Sequence, residues 1–257
     1  MLLNRLRSVV VYIWAIVIII GCLPYQWWTN YLEKENYEKS KRALFRFVHW
    51  FSKTICILAG AKVTVEGVEH IPQEGSVVLV GNHQSMFDIP VVVAGVNRPV
   101  GFIAKDEMRK VPIFNTWIVA LGSFFMPRGE SRKSLEVVIE ATKLLKAHNH
   151  GLVIFPEGTR SDDGSMRAFK PGSLKIAMRS GASLVPFAID KTYELMPRGR
   201  NWFIPQNVTL TFFPAYTPEM LKGQDSVTLT KEIMSQISTT IGREIVMDHE
   251  EAEDVSA

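Results

Sequence analysis

His83 and Asp88 stand five residues apart in the stretch GNHQSMFDIP, positions 81–90. A neutral imidazole is suited to taking a proton from a hydroxyl near pH 7. A carboxylate beside it can hold one ring nitrogen and stabilise the imidazolium. The spacing sets a condition on this chemistry. On a continuous helix five residues turn through about 500°, so the two side chains would diverge by roughly 140°. They meet only if the chain between them reverses. Further along, Arg128 in GSFFMPR (122–128) and Arg160 in FPEGTRS (155–161) offer guanidinium groups, which match phosphate oxygens two at a time. Each residue also has a plainer reading. Alone, His83 is an ordinary strand-end histidine, Asp88 is a cap for the helix predicted at IPVVVAG, and Arg160 is a solvated loop residue.

These residues need elements to position them. From residue 62 onward, short apolar runs alternate with segments of helical spacing. Strands are predicted at 62–68, 76–82, 99–105, 122–128, 151–157, 183–189 and 207–213. Helices are predicted at 87–95, 111–122, 131–150, 171–181 (Pro at its start, Gly at its end) and 227–247. Near-continuous apolar strands alternating with helices predict an α/β fold, a mostly parallel sheet flanked by helices. In open sheets of this kind ligands bind beyond the carboxyl ends of the strands. The three polar segments that carry His83 and Asp88, Arg128, and Arg160 all begin at predicted strand ends, and Lys105 closes another.

The first sixty residues read differently. Val9 to Trp28, VVVYIWAIVIIIGCLPYQWW, is near the lower length for crossing a bilayer and ends in Tyr25, Trp27 and Trp28. Arg5 and Arg7 precede it, which favours a cytoplasmic N-terminus. Residues 44–60 are apolar but interrupted by Arg46, His49 and Lys53, the pattern of an interfacial helix. The rival is a lipoprotein signal cleaved before Cys22. The expected organisation is an N-terminal two-helix membrane motif over 1–60, a domain over 61–247 and an acidic tail over 248–257. That tail carries five acids and no Lys or Arg, so the net charge of +3 hides a balance of +8 over the preceding 247 residues. Basic charge beside apolar segments suits an anionic membrane surface. Cys22 and Cys56, both in apolar stretches, point to a reducing compartment and have no metal-ligand spacing.

Taken together, the blocks carry a resemblance. NHQSMFD (82–88) resembles the histidine-four-residues-aspartate signature of the glycerolipid acyltransferases. FPEGTRS resembles the second hallmark of that family, Glu-Gly-Thr-Arg. GSFFMPR is similar to the intervening block ending in arginine, although Met126-Pro127 departs from its usual polar lead-in. LVPFAI (184–189) is similar to the following Val-Pro strand. All four occur in family order. The apolar N-terminus and the length resemble the bacterial 1-acylglycerol-3-phosphate acyltransferases. The resemblance implies acyl transfer from acyl-CoA or acyl carrier protein to the sn-2 hydroxyl of lysophosphatidic acid, forming phosphatidic acid. His83 is then the general base and Asp88 its orienting partner. Arg128, Arg160, Glu157, Gly158, Thr159 and Lys105 serve the substrate phosphate: Glu157 orients Arg160 or binds a glycerol hydroxyl, and Gly158 lets the backbone come close. The thioester is a co-substrate, and neither a cofactor nor a metal is expected. The expected partners are the lysolipid, the acyl donor and membrane phospholipids, not nucleic acid. The expected location is the inner membrane, with the domain on its cytoplasmic face.

Rival chemistries lack their motifs. There is no G-x-S-x-G elbow, no phosphate-loop or dinucleotide glycine motif, and no zinc-ligand cluster. The readings left beside this one are an acyltransferase acting on glycerol-3-phosphate or another lysolipid, and a membrane-anchored phospholipid-binding protein without turnover.

Overall fold

The computed structural model describes residues 1–127, 129, 131–161 and 163–246. Arg128 and the acidic tail 248–257 lie outside the described residues. Three helices open the chain: α1 Leu2–Gly21, α2 Leu23–Glu35 and α3 Tyr37–Ala59. Then follow β1 Ala61–Glu66, β2 Val77–Gly81, α4 Asp88–Gly95, β3 Val100–Lys105, α5 Phe114–Ala120, β4 Phe124–Met126, α6 Ser131–Ala147 and β5 Gly151–Ile154. After these come β6 Met166–Arg167, α7 Lys175–Ser180, β7 Ser183–Asp190, α8 Thr192–Leu195, β8 Gln206–Phe212, α9 Pro218–Leu221, α10 Ser226–Ile241 and β9 Ile245–Val246.

Seven strands form one sheet in the order β1-β8-β7-β2-β5-β3-β4. The five from β7 to β4 are parallel, and β8 runs antiparallel to β7 with β1 parallel to β8. The centre of the sheet is buried on both faces, which explains the unbroken apolar run of β2, VVLVG. Val77 and Leu79 pack with α3 and α4 on one side. Val78 and Val80 pack with α6, α7 and α10 on the other. This is the predicted α/β architecture with a mostly parallel sheet. Because β2 lies between β5 and β7, whatever follows Gly81 is flanked by the loops leaving Ile154 and Asp190. The sheet thereby brings together segments some seventy and a hundred residues apart.

Several expectations change. The N-terminal region holds three helices, not two. Pro24 stands in the first turn of α2, where its missing N–H costs nothing, and the break falls at Cys22. The polar segment 29–42 ends α2 and, past the extended residue Asn36, opens α3, and its polar groups are paired. Ser40 donates to the Thr29 carbonyl at 2.7 Å, and buried Lys41 reaches Glu33 and the Ala120 carbonyl, each at 2.7 Å. The last helix stops at Ile241 instead of 247, capped by Gly242 in the left-handed region, and the chain goes on to pair β9 with β6. Among the other histidines, His150 is fully buried, and His49 and His70 bond backbone carbonyls. Burial pushes the His150 imidazole down to about 3, with the Lys41 charge adding to the effect.

α1 is the one helix among the described residues long and apolar enough to cross a membrane. Only Ser8 and Val11 of it are buried, while Leu2, Leu3, Leu6, Val9, Val10, Ile13, Ile16 and Val17 stand exposed. A core helix would hide such a surface; an exposed apolar face of this extent is of the kind that a membrane or a partner protein covers. Trp27, Trp28, Tyr31 and Trp50 continue the exposed apolar set on α2 and α3.

Candidate active site

The site begins where β2 runs out. Asn82 takes over from the ladder: its amide donates to the Ile189 carbonyl and accepts from the Ile189 N–H, both at 2.8 Å. This fixes the chain to β7 one residue before His83. The His83 N–H donates to Glu157 Oε1 at 2.7 Å, and its carbonyl accepts the Ser161 N–H at 3.0 Å. Its ring lies parallel to Phe155, 4.2 Å between centroids. The residue after Ile154 on one neighbouring strand thus supports the imidazole, and the loop beyond it holds the backbone.

The chain then reverses through Gln84 to Phe87, as the spacing required, with the Asp88 N–H donating to the Ser85 carbonyl. His83 Nδ1 lies 2.6 Å from Asp88 Oδ2. The same oxygen accepts the backbone N–H groups of Gln84 at 2.7 Å and Ser85 at 2.9 Å. Oδ1 accepts the Thr192 hydroxyl, which leads into α8 after β7. Asp88 is wholly buried, so four donors surround a carboxylate removed from water. Although Asp88 opens α4, its side chain makes no cap there and reaches back to the reversed turn instead. With Nδ1 committed to Asp88, Nε2 is the ring nitrogen left to take a proton.

Glu157 does something the sequence did not disclose. Oε1 accepts from His83 N–H and Oε2 from Arg167 N–H at 2.9 Å, so both oxygens brace backbone. Burial pushes its carboxyl up to about 8, with the two amides pulling the other way. A carboxyl whose folded value lies above its ordinary one near 4.3 binds more protons in the folded state, so stability falls as pH rises through that window. Between about pH 4.5 and 8 the unfolding free energy should drop by up to about 1.4 kcal/mol per pH unit on account of Glu157. Glu157→Gln should flatten that slope in denaturant unfolding followed across pH. Parallel slopes for the two proteins would refute the assignment.

Gly158 follows with φ +67°, a left-handed turn closed by its N–H to the Phe155 carbonyl at 3.1 Å, which carries the chain to half-buried Thr159 and Arg160. Arg160 lines a cavity of about 180 Å³ beside Gln84, Ser85 and Ser161. The turn after His83 and the Glu-Gly-Thr-Arg turn therefore share one hollow. Lys105 ends β3, half-buried, on the same edge of the sheet two strands from β2. Arg128 lies outside the described residues. Asn82, Phe155 and Thr192 were not anticipated. The signal available for each was its place at the carboxyl end of a predicted apolar strand.

Comparison with known proteins agrees with this geometry. The family model described as acyltransferase matches residues 62–190, and the chain belongs to that family. It is 29% identical to the 1-acyl-sn-glycerol-3-phosphate acyltransferase of Borreliella burgdorferi over 70% of this chain and 72% of that one. It is 32% identical to a 1-acyl-sn-glycerol-3-phosphate acyltransferase of Chlamydomonas reinhardtii over 71% of this chain and 55% of that one. The crystal structure of the 1-acyl-sn-glycerophosphate acyltransferase PlsC from Thermotoga maritima superposes with a TM-score of 0.81 at 31% identity, covering 94% of this chain and 95% of that one.

Proposed function

We propose that this enzyme transfers a fatty acyl group from a thioester donor, acyl-CoA or acyl carrier protein, to the sn-2 hydroxyl of 1-acylglycerol-3-phosphate, forming phosphatidic acid. The observation that carries the reading is the 2.6 Å pair of His83 Nδ1 and Asp88 Oδ2, held beside the Arg160 hollow. Nε2 takes the proton of the hydroxyl as its oxygen attacks the thioester carbonyl. Asp88 stabilises the imidazolium that forms. The tetrahedral adduct collapses, the carbon–sulfur bond breaks, and the thiolate leaves and takes up the proton. The donor is a co-substrate, and no other cofactor enters the scheme. Arg160 binds the acceptor phosphate, with Arg128, Thr159 and Lys105 as further groups for it. Glu157 serves the same site by fixing the backbone of His83.

The apolar face of α1 and the exposed aromatics of α2 and α3 seat the enzyme in the inner membrane from its cytoplasmic side. There its lysolipid acceptor is already dissolved. α1 also belongs to the fold, since the Phe203 N–H donates to the Ser8 hydroxyl at 2.7 Å.

The test is thiol release by the purified enzyme across acceptors. The expected order is lysophosphatidic acid far above glycerol-3-phosphate, other lysolipids or no acceptor. Faster turnover of glycerol-3-phosphate would move the reaction to its neighbour. Lysolipid binding without thiol release from any donor would show a binding protein.

A further inference from the structure

We infer that the turn Pro197–Arg200 is an acceptor-specificity element, in which Arg198 and Arg200 join Arg160 to cradle the phosphate monoester. This rests on the proposed reaction and adds to it a segment outside all four motif blocks.

The hollow described above is closed on its far side by this turn. Arg160, Arg198 and Arg200 line it, together with Gln84, Ser85 and Ser161. It therefore carries three guanidinium groups and, among the described residues, no carboxylate. The Ser161 hydroxyl gives a second, independent sign. Ser161 is 3% exposed, and its Oγ finds no hydrogen-bond partner among the described residues. A buried hydroxyl left unpaired is destabilising, and a phosphate oxygen in the cavity would relieve it.

The turn is built to present its arginines. The Arg200 N–H donates to the Pro197 carbonyl at 3.1 Å, and Gly199 stands between the two arginines with φ +77°. A left-handed third residue is what a type II turn demands, and glycine supplies it without strain. The following residues are pinned. The Ile204 N–H donates to the Leu195 carbonyl at 2.9 Å, and the Phe203 N–H donates to Ser8. The Phe203 ring packs against Phe87 at 5.2 Å and Tyr12 at 5.3 Å. The guanidinium groups of Arg5 and Arg200 both stand over the Trp202 ring, at 4.7 and 5.6 Å. The cations thus sit on an anchored loop, which lowers the ordering cost of binding.

Both substrates carry phosphate, and connectivity decides between them. In the acceptor the phosphate and the reacting hydroxyl sit on adjacent carbons. In the donor the whole pantetheine arm separates phosphate from sulfur. Gln84 and Ser85, which line the hollow, directly follow His83. A phosphate held there leaves a hydroxyl on the next carbon near the imidazole.

The test compares full-length wild type with Arg200→Ala, Arg200→Lys and Arg198→Ala in mixed micelles, varying each substrate in turn. Arg200→Ala should raise KM for lysophosphatidic acid on the order of tenfold, as expected for one charge-assisted contact, with the loss falling on KM more than on kcat. KM for acyl-CoA should hold. Inhibition by glycerol-3-phosphate, which has the phosphate but no acyl chain, should weaken by a similar factor, and Arg200→Lys should recover part of both. An unchanged lysolipid KM in both alanine variants, a rise in the acyl-CoA KM instead, or equal losses on both substrates would overturn the inference. A wild-type enzyme inert toward lysophosphatidic acid would instead overturn the proposed reaction beneath it.

Discussion

His83→Ala is expected to lower thiol release by on the order of 10³-fold or more while the protein stays folded and still binds its lysolipid acceptor. A positioned general base contributes about 10²- to 10⁴-fold. Here Nε2 is the ring nitrogen not engaged by Asp88, on a residue whose two successors, Gln84 and Ser85, line the hollow. The fold should survive because the hydrogen bonds that fix this position belong to the backbone: His83 N–H to Glu157 and Ser161 N–H to the His83 carbonyl. What the substitution removes is the ring against Phe155 and one of four donors on Asp88. His83→Asn separates these losses, since its amide keeps a donor toward Asp88 but cannot accept a proton at the position of Nε2. Both variants should show the same collapse of kcat, with the asparagine variant retaining more of the thermal stability. Activity within tenfold of wild type in either purified variant would remove His83 from the chemistry.

How much of this was legible beforehand varies with the range of the interaction. The alternation of elements could be read because the central strands of the parallel sheet are buried on both faces, so that VVLVG and GLVI announce themselves by composition alone. The reversal between His83 and Asp88 followed from their spacing. Interactions across long gaps were silent. Thr192 meets a carboxylate 104 residues earlier, and nothing local distinguishes it from any other threonine after a strand. The bracing of backbone by Glu157 was hidden because its partners there are backbone amides, which every sequence possesses. Composition is also silent on Lys41 and Ser40, whose polar groups are buried in pairs, and on His150, which is wholly buried. The antiparallel turnover from β7 to β8 does leave a mark, which composition alone overlooked: Val208, Leu210 and Phe212 are buried while Thr209 and Thr211 between them are half-exposed, the alternation of a strand with one covered face.

The second large effect is expected at Asp88, and the geometry specifies its form. Asp88→Asn keeps shape and volume, so it asks what the charge does. Oδ2 is held between the N–H groups of Gln84 and Ser85, neither of which can turn away, and an asparagine must therefore point its oxygen at them. Its NH₂ then faces the Thr192 hydroxyl, which can accept a hydrogen bond as well as donate one. In that orientation His83 Nδ1 still finds an oxygen, so the ring keeps its tautomer and direction. The variant loses chiefly the negative charge that steadies the imidazolium as the acceptor hydroxyl gives up its proton. Removing a preorganised charge of this kind costs on the order of 10²- to 10³-fold in kcat, with little change in the lysolipid KM. Asp88→Ala should cost more and also destabilise the protein, because the buried Gln84 and Ser85 amides would have no acceptor. The measurement is kcat and KM for both variants beside their unfolding midpoints. Turnover near wild type in Asp88→Asn would mean that hydrogen bonding alone suffices at this carboxylate and that its buried charge, surrounded by four donors, is there for the fold.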